Sequence, residues 1–200
     1  MIRTYLAAAS VLALAACGNA ATDEPVVEDL GTAPEVETVE TPAETTEPAR
    51  FEPMSASADV LGMEGASIGQ ATFTQGPTGV LIHVEIAPGG LTPGWHGLHL
   101  HEVGDCSDTG TFKLSGGHQG KHDGAHGLLN SVLGPEPGDL PNAWAAADGS
   151  AGYEAFSSLF DLVSALDADG LALLIHAGPD DQVSQPIGGA GDRVACGVIK

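Results

Sequence analysis

Apolar and polar positions begin to alternate near Ala58, in short runs separated by glycine and proline. Within "SIGQATFTQGPTGVLIHVEIAPGGLTPGWHGLHLHEV" three stretches have the period of two or the β-rich composition of strands: Ile68 to Thr74, Val80 to Ile86 and Gly97 to Val103. Farther on, "LALLIHAG" (Leu171 to Gly178) and "RVACGVI" (Arg193 to Ile199) predict two more. The interval between Gly104 and Pro141 carries little strand signal, and a loop that long inside a compact domain is usually functional. "YEAFSSLFDLVSALDADG", Tyr153 to Gly170, fits either a short amphipathic helix or a strand and turn. The 28 glycines agree with a turn-rich, all-β domain of low helix content.

The residues before this pattern follow other rules. Arg3 forms a charged start, Leu6 to Ala16 is an apolar run too short to span a bilayer, and "LAAC" (Leu14 to Cys17) matches the lipobox of bacterial lipoproteins. Residues 1–16 therefore read as a lipoprotein signal and Cys17 as the lipidated N-terminus of the exported chain; an ordinary cleaved signal with an incidental cysteine is the plainer alternative. Gly18, rather than Asp, after Cys17 leans towards the outer membrane. The expected location is the cell envelope, lipid-anchored and facing the periplasm. Residues 17–57 are rich in Glu, Thr, Pro and Ala, a composition that cannot bury enough apolar surface to offset its ordering entropy, and read as an acidic tether. Residues 58–200 are the folded domain.

Export changes the meaning of the two remaining cysteines. In an oxidising compartment Cys106 and Cys196 are most simply a disulfide, with two buried thiols as the alternative. Closing so long a loop stabilises a fold by roughly 4 kcal/mol in the chain-entropy model. The whole chain carries a formal charge of −21, and from Met54 onward seventeen acidic residues face four basic ones. That balance excludes nucleic acid as a partner for the domain.

Six of the eight histidines lie between residues 94 and 127. His99 and His101, two apart on a strand, project from one face and can chelate one metal. His118 in "SGGH" and His176 near the end of a separate strand extend the pair to a set of imidazoles suited to a redox metal. A zinc hydrolase motif is disfavoured, because Glu102 and Val103 follow the pair. His96 is at an odd offset from His99 and would face the other way on a continuous strand, and His83 has no partner in its segment; both read as structural.

From about Gly65 to Lys200 the chain resembles the copper/zinc superoxide dismutases, in their bacterial periplasmic branch. The motifs that carry the resemblance are "GLHLHE" (Gly97 to Glu102), "GDC" (Gly104 to Cys106), "SGGH" (Ser115 to His118) and "GDLPN" (Gly138 to Asn142), followed by "DADG" with "LLIHAGPDD" (Asp167 to Asp181) and "GGAGDRVACGVIK" (Gly188 to Lys200). The resemblance implies a Greek-key β-sandwich or flattened barrel of about eight antiparallel strands with two long functional loops. It implies copper held by His99, His101, His118 and His176, with His118 bridging to zinc and exchanging a proton during turnover. It implies that Arg193 guides the superoxide anion, the other reading being a surface ion pair with Asp192. It also implies a Cys106–Cys196 disulfide, and Asp180 as the carboxylate that fixes one copper and one zinc histidine. Lys121, beside the loop histidines, either helps to attract the anion or is simply solvated. The state of assembly, monomer or homodimer, stays open.

The zinc side departs from the family pattern. His126, eight residues after His118, and Asp139 both match, but Glu136 stands where the family has a third histidine. Either Glu136 ligates zinc, as carboxylates do, or His122 replaces it, or zinc binds weakly or not at all. The expected set is His118, His126, Asp139 and Glu136. That departure also leaves a second class of function open, a noncatalytic copper-binding or copper-buffering lipoprotein on the same fold; an adhesin-like sandwich would need no converging histidines.

Overall fold

The structure is a computed structural model that describes residues 53–120, 125–166 and 169–200. The signal, most of the tether, Cys17, Lys121 and His122 lie outside the described residues.

Nine strands form among the described residues: β1 (Ser55–Gly62), β2 (Ser67–Gln75), β3 (Val80–Ile86), β4 (Gly94–His96), β5 (Leu98–His101), β6 (Ala143–Ala145), β7 (Ala151–Ser157), β8 (Leu171–His176) and β9 (Arg193–Ile199). Seven make one antiparallel sheet in the order β5-β8-β9-β1-β2-β3-β7, and β4 pairs with β6 in a separate ribbon. Burial alternates along β1 and β3, so one face of each strand is driven inward. Phe73, Ile82 and Val84 share one core with Leu98, Leu100, Leu171, Leu173 and Ile175, although their strands lie far apart in the sheet order. The sheet must therefore curl over its own apolar face, in keeping with the flattened barrel.

Several boundaries differ from the sequence reading for physical reasons. β1 starts three residues before Ala58; its inward residues include Ala56 and Ala58, whose contrast with serine is too weak to announce a strand. The predicted Gly97–Val103 strand shortens to β5, Leu98–His101, and Gly97 separates it from β4. A Cβ at Gly97 would press to 3.0 Å from the Ala190 side chain and 3.1 Å from that of Asp180, so the chain passes close to the loop there. The ambiguous Tyr153–Gly170 segment is both things in turn: it lies in β7 and then in a single helical turn, α1 (Leu162–Ala165), capped by the Asp161 side chain.

What matters for the site is the second face of β5 and β8. Leu98, Leu100, Leu171, Leu173 and Ile175 enter the main core, so the residues between them, His99, His101, Ala172, Leu174 and His176, point the other way. There Cys106, Phe112, Ala172, Leu174 and Cys196 form a second, smaller core. The Cys106–Cys196 disulfide, spanning 90 residues with its Cα atoms 5.7 Å apart, ties the long loop to β9.

Candidate metal centre

β5 lies at the edge of the large sheet, and two loop segments complete it. Gln119 N donates to Leu100 O at 2.8 Å and Leu100 N donates to Gly138 O at 2.9 Å. Isolated bridges pair His101 with His118 and His99 with Asp139. The edge that would otherwise be open is thereby used to set His118 and Asp139 against the strand histidines.

Four rings converge here. The His99 centroid lies 4.1 Å from His118 and 4.8 Å from His176, and His101 lies 5.2 Å from His118. Each ring is anchored through one nitrogen. His99 Nε2 meets Asp180 Oδ2 at 2.7 Å, His101 Nδ1 meets Gly116 O at 3.0 Å, His118 Nδ1 meets Glu136 Oε2 at 2.9 Å, and His176 Nδ1 meets Gly191 O at 2.9 Å. The remaining nitrogens, His99 Nδ1 and the Nε2 atoms of His101, His118 and His176, are buried without a hydrogen-bond partner. A buried nitrogen without a partner is costly to leave so, and several aimed into one pocket fit a metal ion. Burial lowers the His99 ring to about 3, against the pull of Asp180, and drives His101 and His176 down as well. They stay neutral, the form that ligates a metal.

The adjoining pocket is built differently. His118, His126, Glu136 and Asp139 each offer one ligand atom, all within 4.8 Å of one another, and all four are buried. Burial alone would lower His126, but hydrogen bonds with Asp139 (2.7 Å) and Asp180 (3.2 Å) raise it to about 9. Burial likewise opposes ionisation of Asp139, yet the His118 ring 3.5 Å away and donors from His126, Gly127 N and Glu136 N hold it well below the usual carboxylate range. Two buried carboxylates side by side demand a cation, and the donor set of imidazole and carboxylate suits zinc.

Asp180 joins the pockets, with Oδ2 on His99 and Oδ1 on His126. Its backbone is pinned by Asn142, whose Nδ2 donates to Asp180 O at 2.8 Å and whose Oδ1 accepts from Asp180 N at 2.9 Å. At Gly188, with φ of 59°, a Cβ would collide with Asp180 Oδ1, so only glycine fits. The sequence reading gave Asn142 and Gly188 no role.

Arg193 is half-buried on β9 beside His176. Its Nη1 donates to Phe112 O (2.7 Å) and Ser115 Oγ (3.1 Å), and Nη2 to Gly116 O (2.8 Å). The alternative ion pair with Asp192 does not form among the described residues. Phe112 is fully buried in a left-handed conformation, φ 50°, which turns its carbonyl onto the guanidinium. Arg193, His176, Lys113, Thr111, Ile187 and Asp192 line an open recess of about 340 Å³. His96 is buried outside this constellation, with its ring nitrogens 2.6 and 2.7 Å from His176 O and Thr92 O.

Comparison with known proteins gives one answer. The family model for copper/zinc superoxide dismutase matches residues 67–199. A Cu-Zn superoxide dismutase of Caulobacter vibrioides is 51% identical over 155 residues, covering 73% of this chain and 86% of the relative. One from Aquifex aeolicus is 38% identical over 153 residues, covering 74% and 87%. Among solved structures, the Cu/Zn superoxide dismutase from Brucella abortus aligns with a TM-score of 0.60 at 28% identity, covering 74% of this chain and 100% of that one. A SOD-like protein from Bacillus subtilis aligns with a TM-score of 0.61 at 29% identity, covering 71% and 96%.

Proposed function

The chain belongs to the copper/zinc superoxide dismutase family, and we propose that its buried histidine cluster, beside the Arg193 recess, performs the dismutation of superoxide in the bacterial cell envelope. It is an oxidoreductase whose cofactors are copper and zinc. Bound copper supplies a one-electron couple, Cu(II)/Cu(I): one superoxide is oxidised to dioxygen, and a second is reduced with two protons to hydrogen peroxide.

The chain's own residues provide the rest. His99 Nδ1 and the Nε2 atoms of His101, His118 and His176 would hold copper; His118, His126, Asp139 and Glu136 would hold zinc. The observation that carries this reading is the set of four unpartnered buried nitrogens, each on a ring already anchored at its other nitrogen. Arg193 receives the anion: three loop oxygens fix the guanidinium at the recess beside His176. A local cation at the recess governs encounter even where the net charge is negative. His118 Nε2 takes up a proton and returns it between the two half-reactions.

Lipidation at Cys17, with residues 17–57 as a tether, would hold the domain on a membrane facing the periplasm, the outer membrane by its residue after cysteine. Incorporation of labelled fatty acid, lost in Cys17→Ser, tests the anchor. For the reaction, protein loaded with copper alone and with copper plus zinc is expected to suppress superoxide-dependent cytochrome reduction. Copper uptake without suppression would leave only the copper-buffering role.

A further inference from the structure

We infer that Glu136 is a positioning residue for His118 that lets the all-histidine pocket take copper while the neighbouring pocket holds no metal. The inference rests on the copper assignment proposed above. Every ring of the all-histidine pocket is oriented by an oxygen at the nitrogen facing away from the pocket centre: Asp180 for His99, Gly116 O for His101 and Gly191 O for His176. Those three oxygens lie outside the carboxylate pocket's ligand set, so they persist whatever that pocket contains. His118 is the exception, because its outer nitrogen points into the second pocket.

There Glu136 Oε2 accepts from His118 Nδ1 at 2.9 Å, with both side chains 3% exposed and sheltered from competing water. Asp139 is poorly placed for the task. Its Oδ1 is 3.5 Å from His118 Nδ1 and already accepts from His126 Nδ1 at 2.7 Å, while Oδ2 accepts from Gly127 N at 2.7 Å and Glu136 N at 2.8 Å. With His118 Nδ1–H donated to Glu136, the His118 tautomer is fixed and the Nε2 lone pair faces the other three rings. On zinc loading His118 Nδ1 would give up that proton to solvent and serve as a zinc ligand. His118 thus has a partner on Nδ1 in both states. A neutral imidazole at position 136 would accept the same hydrogen bond only as one tautomer, whereas a carboxylate accepts with either oxygen.

The test is copper affinity, read by competition with a chromophoric chelator on the whole domain with its disulfide intact, before and after zinc loading. Zinc-free wild type is expected to bind copper within about threefold of the zinc-loaded affinity. Glu136→Ala is expected to weaken zinc-free copper binding by about 10–100-fold, the usual cost of removing a partner that orients a ligand. Glu136→Gln, which keeps an acceptor oxygen, should recover most of that loss. In ¹⁵N-labelled metal-free protein the His118 Nδ1–H should give a slowly exchanging signal that Glu136→Ala abolishes. A zinc-free wild type more than about tenfold weaker than the zinc-loaded form overturns the inference without any variant. So does a Glu136→Ala protein that binds copper as wild type does. If wild type takes up no copper in either state, the copper assignment itself fails.

Discussion

The two pockets share one ring and little else. In the first, three of the four histidines are kept neutral by burial and held by groups that belong to neither ligand set, and the electrostatic demand is only for a partner to the unpartnered ring nitrogens. In the second, two carboxylates face two imidazoles, and the demand is for positive charge, met in part by raising His126. One pocket is pre-formed by geometry; the other is held together by charge. His118 and Asp180 are where the two designs meet, so changes at those residues should act on both metals, and changes elsewhere on one.

His118→Ala tests that most severely. It removes a ligand from each pocket, and both copper and zinc content are expected to fall with activity lost to background, measured by elemental analysis and cytochrome assay. If either metal stays at full occupancy, the shared ring is not shared. Asp180→Ala comes next: it leaves every ligand in place but removes the anchor from His99 and His126 together. Loss of such an anchor costs about 10–100-fold in metal affinity, and here the loss should appear for copper and zinc in one protein. A variant that weakens only one would separate the pockets.

Arg193→Gln should do the reverse, leaving both metal contents unchanged while slowing the reaction by about tenfold or more, an effect that shrinks as added salt screens the field. Its three hydrogen bonds go to the 112–116 loop, so a fall in copper content would mean that the arginine shapes the pocket rather than the encounter.

Those contrasts bear on what a sequence shows. β3 and β9 were legible to the residue, because Val80–Ile86 alternates strongly and Arg193–Ile199 follows directly on a glycine-rich turn. β1 was not, since alanine against serine gives little contrast in hydrophobicity. His99 and His101 declare themselves by their spacing on a strand. Glu136 and Asp139 could be placed only through the family motif, and the structure brings both into one pocket with His118 and His126. Asn142, Gly188 and Phe112 left no local pattern: their partners are the Asp180 backbone, 38 residues from Asn142, the Asp180 carboxylate beside Gly188, and the Arg193 guanidinium, 81 residues from Phe112, and such contacts exist only once the loops have met. His96 does lie outside the ligand sets, but the parity argument that sets it apart assumes a continuous strand, and the chain is interrupted between β4 and β5 at Gly97.

The smallest expected effect separates the pockets without any metal. In protein stripped by chelation, His99 sits at about 3 against an ordinary 6.5, so the unfolded chain binds its proton first as the pH drops. Stability should therefore be lost progressively from about pH 6.5 downward, with His101 and His176 adding in the same direction. His126 is shifted the other way, to about 9; its contribution is fully present below 6.5 and lost as the pH rises through 9. Asp139 and Asp180, both depressed, add a further loss only below the ordinary carboxylate range. The acid arm of the stability profile above that range thus belongs to the first pocket and the alkaline arm to the second. His126→Gln should flatten the alkaline arm, a change on the order of a few °C in thermal midpoint, while leaving the acid arm in place. If calorimetry across pH 4–10 showed both arms flattened by that one change, the neutrality of the first pocket would depend on the charge of the second, and the division between geometry and charge would fail.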